Sequence, residues 1–86
     1  MTRVDVRDLS CPLTWVRTRV ALERVAPGET IEVLLRGGEP LESVPRTAEE
    51  EGHRVISRAP WPRGGEGAWR VLVQKGARVE EDGLLP

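Results

Sequence analysis

The chain has one cysteine, one histidine and one lysine among its 86 residues. A single cysteine cannot close an intramolecular disulfide, so the fold must hold without one, and a reducing, cytoplasmic setting is expected. Cys11 and His53 are too few for a metal site, which needs several ligands at suitable spacing. No cofactor is expected either. No apolar run approaches the roughly 20 residues of a spanning helix. The opening Met1-Thr2-Arg3-Val4-Asp5 lacks the apolar centre of a signal peptide. A surplus of charge is missing as well. Thirteen basic residues face 14 acidic ones, and a formal net charge of −1 argues against an electrostatically driven nucleic-acid binder.

What is present fits one small globular domain. Hydrophobic residues make up 38% and charged residues 31%, too apolar for disorder and too polar for a membrane. The core will be thin at this length. Residues 1–76 are expected to form the domain, with 77–86 a short, loosely held acidic tail. Val4 and Val6 alternate with Arg3, Asp5 and Arg7, which predicts a strand over 3–7. A helix is expected over 13–25, stopped by Ala26-Pro27-Gly28. Residues 30–35 read as a second strand, whose apolar run suggests a central place in the sheet. Gly37-Gly38-Glu39-Pro40 reads as a loop. A second helix is expected from Ser43 or Val44 to Glu51, with Ser43 as N-cap, Pro45 in the first turn and Gly52 as the stop. Residues 53–59 predict a third strand, with Val55 and Ser57 on one face and Arg54, Ile56 and Arg58 on the other. Two prolines and three glycines leave 60–67 without regular structure. Ala68–Gln74 reads as a fourth strand, in an antiparallel hairpin with the third. The expected fold is an α/β two-layer sandwich of order β-α-β-α-β-β, a four-stranded mixed sheet with two helices on one face.

The chemistry concentrates at Cys11. Ser10-Cys11-Pro12-Leu13 falls between the first strand and the first helix, which sets a thiol at a helix N-terminus. Unpaired N–H groups and the positive end of the helix dipole stabilise thiolate there. Pro12 suits the first helical turn, where its missing N–H costs nothing. The competing reading of Cys11 is a small buried hydrophobe. His53 alone reads as a surface or packing residue rather than a base. Gly37-Gly38 and Gly64-Gly65 lack the lysine-serine pair of a phosphate loop. Ser10 and Ser43 lack any triad partner pattern and read as caps.

These residues resemble the TusA/SirA-like sulfur carriers. The carrying features are the Cys11-Pro12 pair after Asp5, the Pro27-Gly28-Glu29 turn before the second strand, and Val44-Pro45 in the second helix. Gly52-His53-Arg54-Val55 and Trp69-Arg70-Val71-Leu72-Val73-Gln74-Lys75-Gly76 resemble the last two strands. Thr14 stands where the family has the second proline of Cys-Pro-x-Pro, and Asp8 where it has a glycine; Thr14 bears on partner choice and on how the thiol is presented. The tip at 60–67 is longer than usual. The resemblance implies that Cys11 accepts sulfane sulfur as a persulfide and passes it on, with Pro12 and Asp5 supporting the motif. It implies a donor such as a cysteine desulfurase or rhodanese-like protein. The acceptor would serve tRNA thiolation, cofactor synthesis or sulfur oxidation. Whether such a relay is termed an enzyme, a sulfurtransferase, is partly convention.

With no second cysteine, sulfur on Cys11 must leave to an external acceptor. Helical spacing gathers Trp15, Thr18, Leu22 and Val25 on one face and Leu13, Val16 and Val20 on another. The second set is either an incidental exposed face or an apolar docking patch beside Cys11, with Arg17 and Arg24 nearby. Trp69 reads as core. Trp61, between two prolines, either packs over the sheet edge or awaits a partner. Two rival functions stand beside the carrier: a non-catalytic regulatory or protein-interaction module with Cys11 idle or redox-sensing, and a nucleic-acid-binding domain.

Overall fold

The computed structural model describes residues 2–9 and 13–76. The expectations for Ser10, Cys11, Pro12 and the tail 77–86 lie outside the described residues. The elements run β1 (Thr2–Asp5), α1 (Leu13–Glu23), β2 (Thr30–Arg36), α2 (Glu39–Glu50), β3 (Arg54–Pro60) and β4 (Ala68–Gln74), with a 3-10 turn at Pro62–Gly64. The sheet order is β1-β2-β4-β3. β1 pairs parallel with β2, and β4 pairs antiparallel with both β2 and β3. The two-layer, mixed-sheet fold expected from the sequence is the fold observed.

Strand alternation builds the core. Ile31, Val33 and Leu35 of β2, Val71 and Val73 of β4 and Val6 face the helices, where Leu22, Val44 and Ala48 meet them. Each such aliphatic side chain contributes about 1.5–3 kcal/mol over leaving it exposed. Thr14 and Thr18 are also fully buried on the inner face of α1, and the Thr18 hydroxyl donates to the Thr14 carbonyl at 2.8 Å. Trp15, Ala21 and Val25 flank them, partly buried.

Several boundaries differ from expectation. β1 ends at Asp5, although Val6 N–H still donates to Leu34 O at 2.8 Å before the chain turns. α1 ends at Glu23, because Arg24 and Val25 tighten into i−3 bonds to Ala21 and Leu22. α2 starts four residues before Ser43, which therefore lies within the helix and is not its cap. Gly38, at φ 95°, precedes the helix, and Pro40 occupies the first turn. Acidic Glu39 and Glu42 suit the positive end of the dipole. Pro45 is then interior and buried, forgoing one backbone bond to Leu41. A bulge between Val55 and Ser57 breaks the expected alternation of β3, so that Val55 and Arg58 both line the α2 side. The segment 60–67 is not wholly irregular, since it contains the 3-10 turn.

The lower end of the sheet is closed by glycines. Pro27-Gly28 forms a turn with Gly28 at φ 92° and Glu29 N–H donating to Ala26 O at 3.0 Å, the geometry that places glycine third in a type II turn. Gly52, at φ 97°, ends α2 in a Schellman arrangement: His53 N–H reaches Ala48 O at 2.9 Å and Gly52 N–H reaches Glu49 O at 3.1 Å. Gly76 N–H in turn donates to His53 Nδ1 at 3.0 Å, tying the end of β4 to the end of α2. A Cβ at Gly76 would collide with the Gly52 carbonyl. Gly76→Ala is expected to cost about 1–3 kcal/mol, read as a fall of several degrees in Tm.

Burial, followed by the charge of Lys75, holds the His53 imidazole below its ordinary pKa. A protonated Nδ1 cannot accept from Gly76. Because the folded value is the depressed one, this stabilisation is full above about pH 6.5 and is lost as pH falls through the folded value. Asp5 and Glu32, also depressed, lose theirs only at lower pH, below their ordinary values of 3.8 and 4.5. Thermal melts between about pH 7 and 5 should therefore show a declining Tm, and His53→Asn, which keeps an acceptor near Nδ1, should flatten that decline.

Candidate functional site

The exit of β1 is fixed by charge. The Asp5 carboxylate accepts from Arg7 Nε at 2.9 Å, Arg7 Nη2 at 2.7 Å and Arg7 N–H at 3.1 Å. Those bonds, the side-chain ones foremost, outweigh desolvation and hold the Asp5 carboxyl at about 2. Arg7 Nη1 reaches across to Gly64 O at 3.0 Å. The turn then closes with Leu9 N–H on Val6 O at 3.1 Å. Asp5 thus braces the loop that leads to Cys11 in sequence, and α1 begins at Leu13, two residues beyond that cysteine. Asp8 is exposed.

The outward side of α1 carries an exposed apolar stripe among charged residues. Leu13 is 51% exposed, Val16 42% and Val20 36%. These three form one stripe starting at the helix N-terminus, while Thr14, Thr18 and Leu22 are buried on the opposite side. Thr14, which stands in place of the motif's second proline, is thus a core residue. Asp5 at the end of β1 and Leu13 at the start of α1 flank the Cys11 segment in sequence, and Val16 and Val20 continue the stripe along the helix. His53 does not join them: its Nδ1 is engaged at the far end, by Gly76. Among the described residues no group of three or more His, Cys, Asp or Glu could hold a metal ion, and no helix is long and apolar enough to cross a membrane.

A second cluster was not anticipated from the sequence. Glu32, in the middle of β2 and 6% exposed, faces away from the helices. It accepts from Arg3 Nε at 2.6 Å on Oε1 and from Arg70 Nε on Oε2. These two bonds, Arg3 first, hold its carboxyl below the usual range. Trp61 settles the choice left open for it: the hairpin tip crosses the open face, and the Arg3 and Arg7 guanidiniums lie 5.5 and 5.4 Å from the centre of its ring. A Cβ on Gly64 would strike that ring, so the close approach requires glycine. The available signal was a lone glutamate in an otherwise apolar strand, but its partners depend on strand register. Trp69 is only partly buried and lines a cleft between α2 and β3 with Leu41, Pro45 and Val55.

Comparison with known proteins agrees with this architecture. The family described as Sulfurtransferase TusA matches residues 2–75. A protein of Archaeoglobus fulgidus named "Putative sulfur carrier protein" is 35% identical over 72 residues, covering 84% of this chain and 78% of the relative. One of the same name from Thermotoga maritima is 31% identical over 71 residues, covering 83% and 86%. The crystal structure of a SirA-like protein from Desulfitobacterium hafniense shares the fold with a TM-score of 0.73 at 22% identity, over 90% of this chain and all of that one. A family match over nearly the full chain, joined by two relatives above 30% identity, is decisive: the chain belongs to the sulfurtransferase TusA family.

Proposed function

We propose that this protein is a sulfur carrier that holds sulfane sulfur as a persulfide on Cys11 and relays it from a donor protein to an acceptor protein. The observation that carries the reading is the family match over 2–75, with the chain's one cysteine between the braced exit of β1 and the first residue of α1. The Cys11 thiolate attacks the terminal sulfur of a donor persulfide. The donor S–S bond breaks and the donor cysteine leaves as thiolate. An acceptor thiolate then attacks the terminal sulfur of the Cys11 persulfide and releases Cys11 as thiolate. Neither step needs an external oxidant or reductant, and each exchanges one S–S bond for another. The N-terminal N–H groups of α1 suit both the thiolate and the persulfide anion. Asp5 acts through Arg7 as a positioning residue for the loop, and Pro12 sets the helix entrance. Residues 1–76 form the carrier domain and 77–86 an appended tail, working in a reducing cytoplasm.

The Leu13-Val16-Val20 stripe is the surface on which the donor protein docks, since it is apolar, exposed and begins beside Cys11 in sequence. Cysteine desulfurase with cysteine, or rhodanese with thiosulfate, should add one sulfur to the intact mass, removable by reductant and absent in Cys11→Ser. No gain with either donor would favour the interaction-module reading. Val16→Ser with Val20→Ser should slow loading by roughly tenfold, equivalent to about 1.4 kcal/mol of lost contact, while leaving Tm nearly unchanged. Unaltered loading kinetics would remove the docking role.

A further inference from the structure

The open face of the sheet holds three guanidiniums around one cavity. Arg3, Arg63 and Arg70 line a recess of about 540 Å³ together with Glu32, Trp61 and Pro62. Glu32 takes Arg3 and Arg70 each through Nε, which leaves their Nη groups without a hydrogen bond to the described residues on side chains that are 57% and 40% exposed. Arg63, on the 3-10 turn, has no ion pair or hydrogen bond among the described residues. Arg7 is differently placed, being consumed by Asp5 and Gly64. Trp61 stiffens the wall by packing on Arg3. One carboxylate against three guanidiniums leaves a surplus of two positive charges in a pre-set frame. Planar guanidiniums with unengaged Nη pairs match oxygens of a tetrahedral anion.

We propose that this recess binds a dianionic oxyanion of the phosphate type, either free inorganic phosphate or the phosphomonoester of a larger ligand. The buried Glu32 is the organising element: it holds two arginines in place and leaves their second donors for the ligand. The site is independent of Cys11 and of the sulfur relay, so it stands or falls without that reading. The recess is partly open, with the Arg3 and Arg70 side chains 57% and 40% exposed, so binding is weakened by solvent screening.

The test is an amide- and indole-resolved NMR titration of the full chain with inorganic phosphate, and separately with a nucleoside monophosphate. Chloride at matched ionic strength is the control. Saturable shifts at Arg3, Trp61, Arg63 and Arg70, with half-saturation on the order of millimolar, are expected from the phosphates and not from chloride. The more tightly held compound identifies the source of the phosphate group. Arg63→Ala, which removes no hydrogen bond or ion pair among the described residues, should weaken binding about tenfold, and Arg70→Lys should weaken it while keeping the charge. Shifts that do not saturate, that chloride reproduces, or that survive both substitutions unchanged would overturn the site.

Discussion

Parallel pairing of β1 with β2 dictates where the rest of the molecule goes. Thr2 through Asp5 lie beside Ile31 through Leu34 in the same direction, so the chain must return from the top of β1 to the foot of β2 before it can pair. α1 makes that return. Its N-terminus therefore follows the exit of β1, and Cys11 belongs in sequence to the segment that connects the two. The Asp5–Arg7–Gly64 links stiffen the same exit from the other side. The place and polarity of α1 follow from one strand pairing, and the Asp5 and Arg7 side chains add the charge links.

The two faces of the sheet solve burial differently. The helix side is a conventional aliphatic core, with α1 laid over β1 and β2 and α2 over β2, β4 and β3. The other side has no helices. Leu34 is only 1% exposed there, and Glu32 beside it is buried as an ion with two arginines. The hairpin tip and its tryptophan cross this face to reach the opposite edge strand, since the Trp61 ring meets Arg3 and Arg7 of the β1 segment. The long tip is thus the cover of an otherwise open layer. A charged residue at the centre of β2 is tolerated because both of its oxygens are engaged.

Much of this was legible in residues alone. β4 was bounded correctly because Ala68–Gln74 is a β-rich run between a glycine-rich loop and Gly76. The stop of α2 at Gly52 followed from glycine's freedom to adopt positive φ. The start of α2 was not legible: two prolines and two glycines in 37–45 read as interruption, whereas Pro40 supports the first turn and Pro45 is absorbed inside the helix. The bulge at Val55/Ser57 leaves no mark on a hydrophobic pattern. For the candidate site, Cys-Pro between strand and helix marked the thiol segment, and helical spacing separated the exposed Leu13-Val16-Val20 stripe from the buried one. The Arg3–Glu32–Arg70 cluster joins residues far apart in sequence through strand register, which no local pattern reports.

The central claim is that Cys11 carries sulfur in the cell. The direct measurement is to lyse host cells into an alkylating reagent and determine the masses of the Cys11 peptide. A persulfide carrier predicts a fraction of that peptide with one extra sulfur between the cysteine and the alkyl group, removed by reduction. A Cys11 peptide alkylated only on the thiol, in cells where a known persulfide protein is trapped in parallel, would contradict the account.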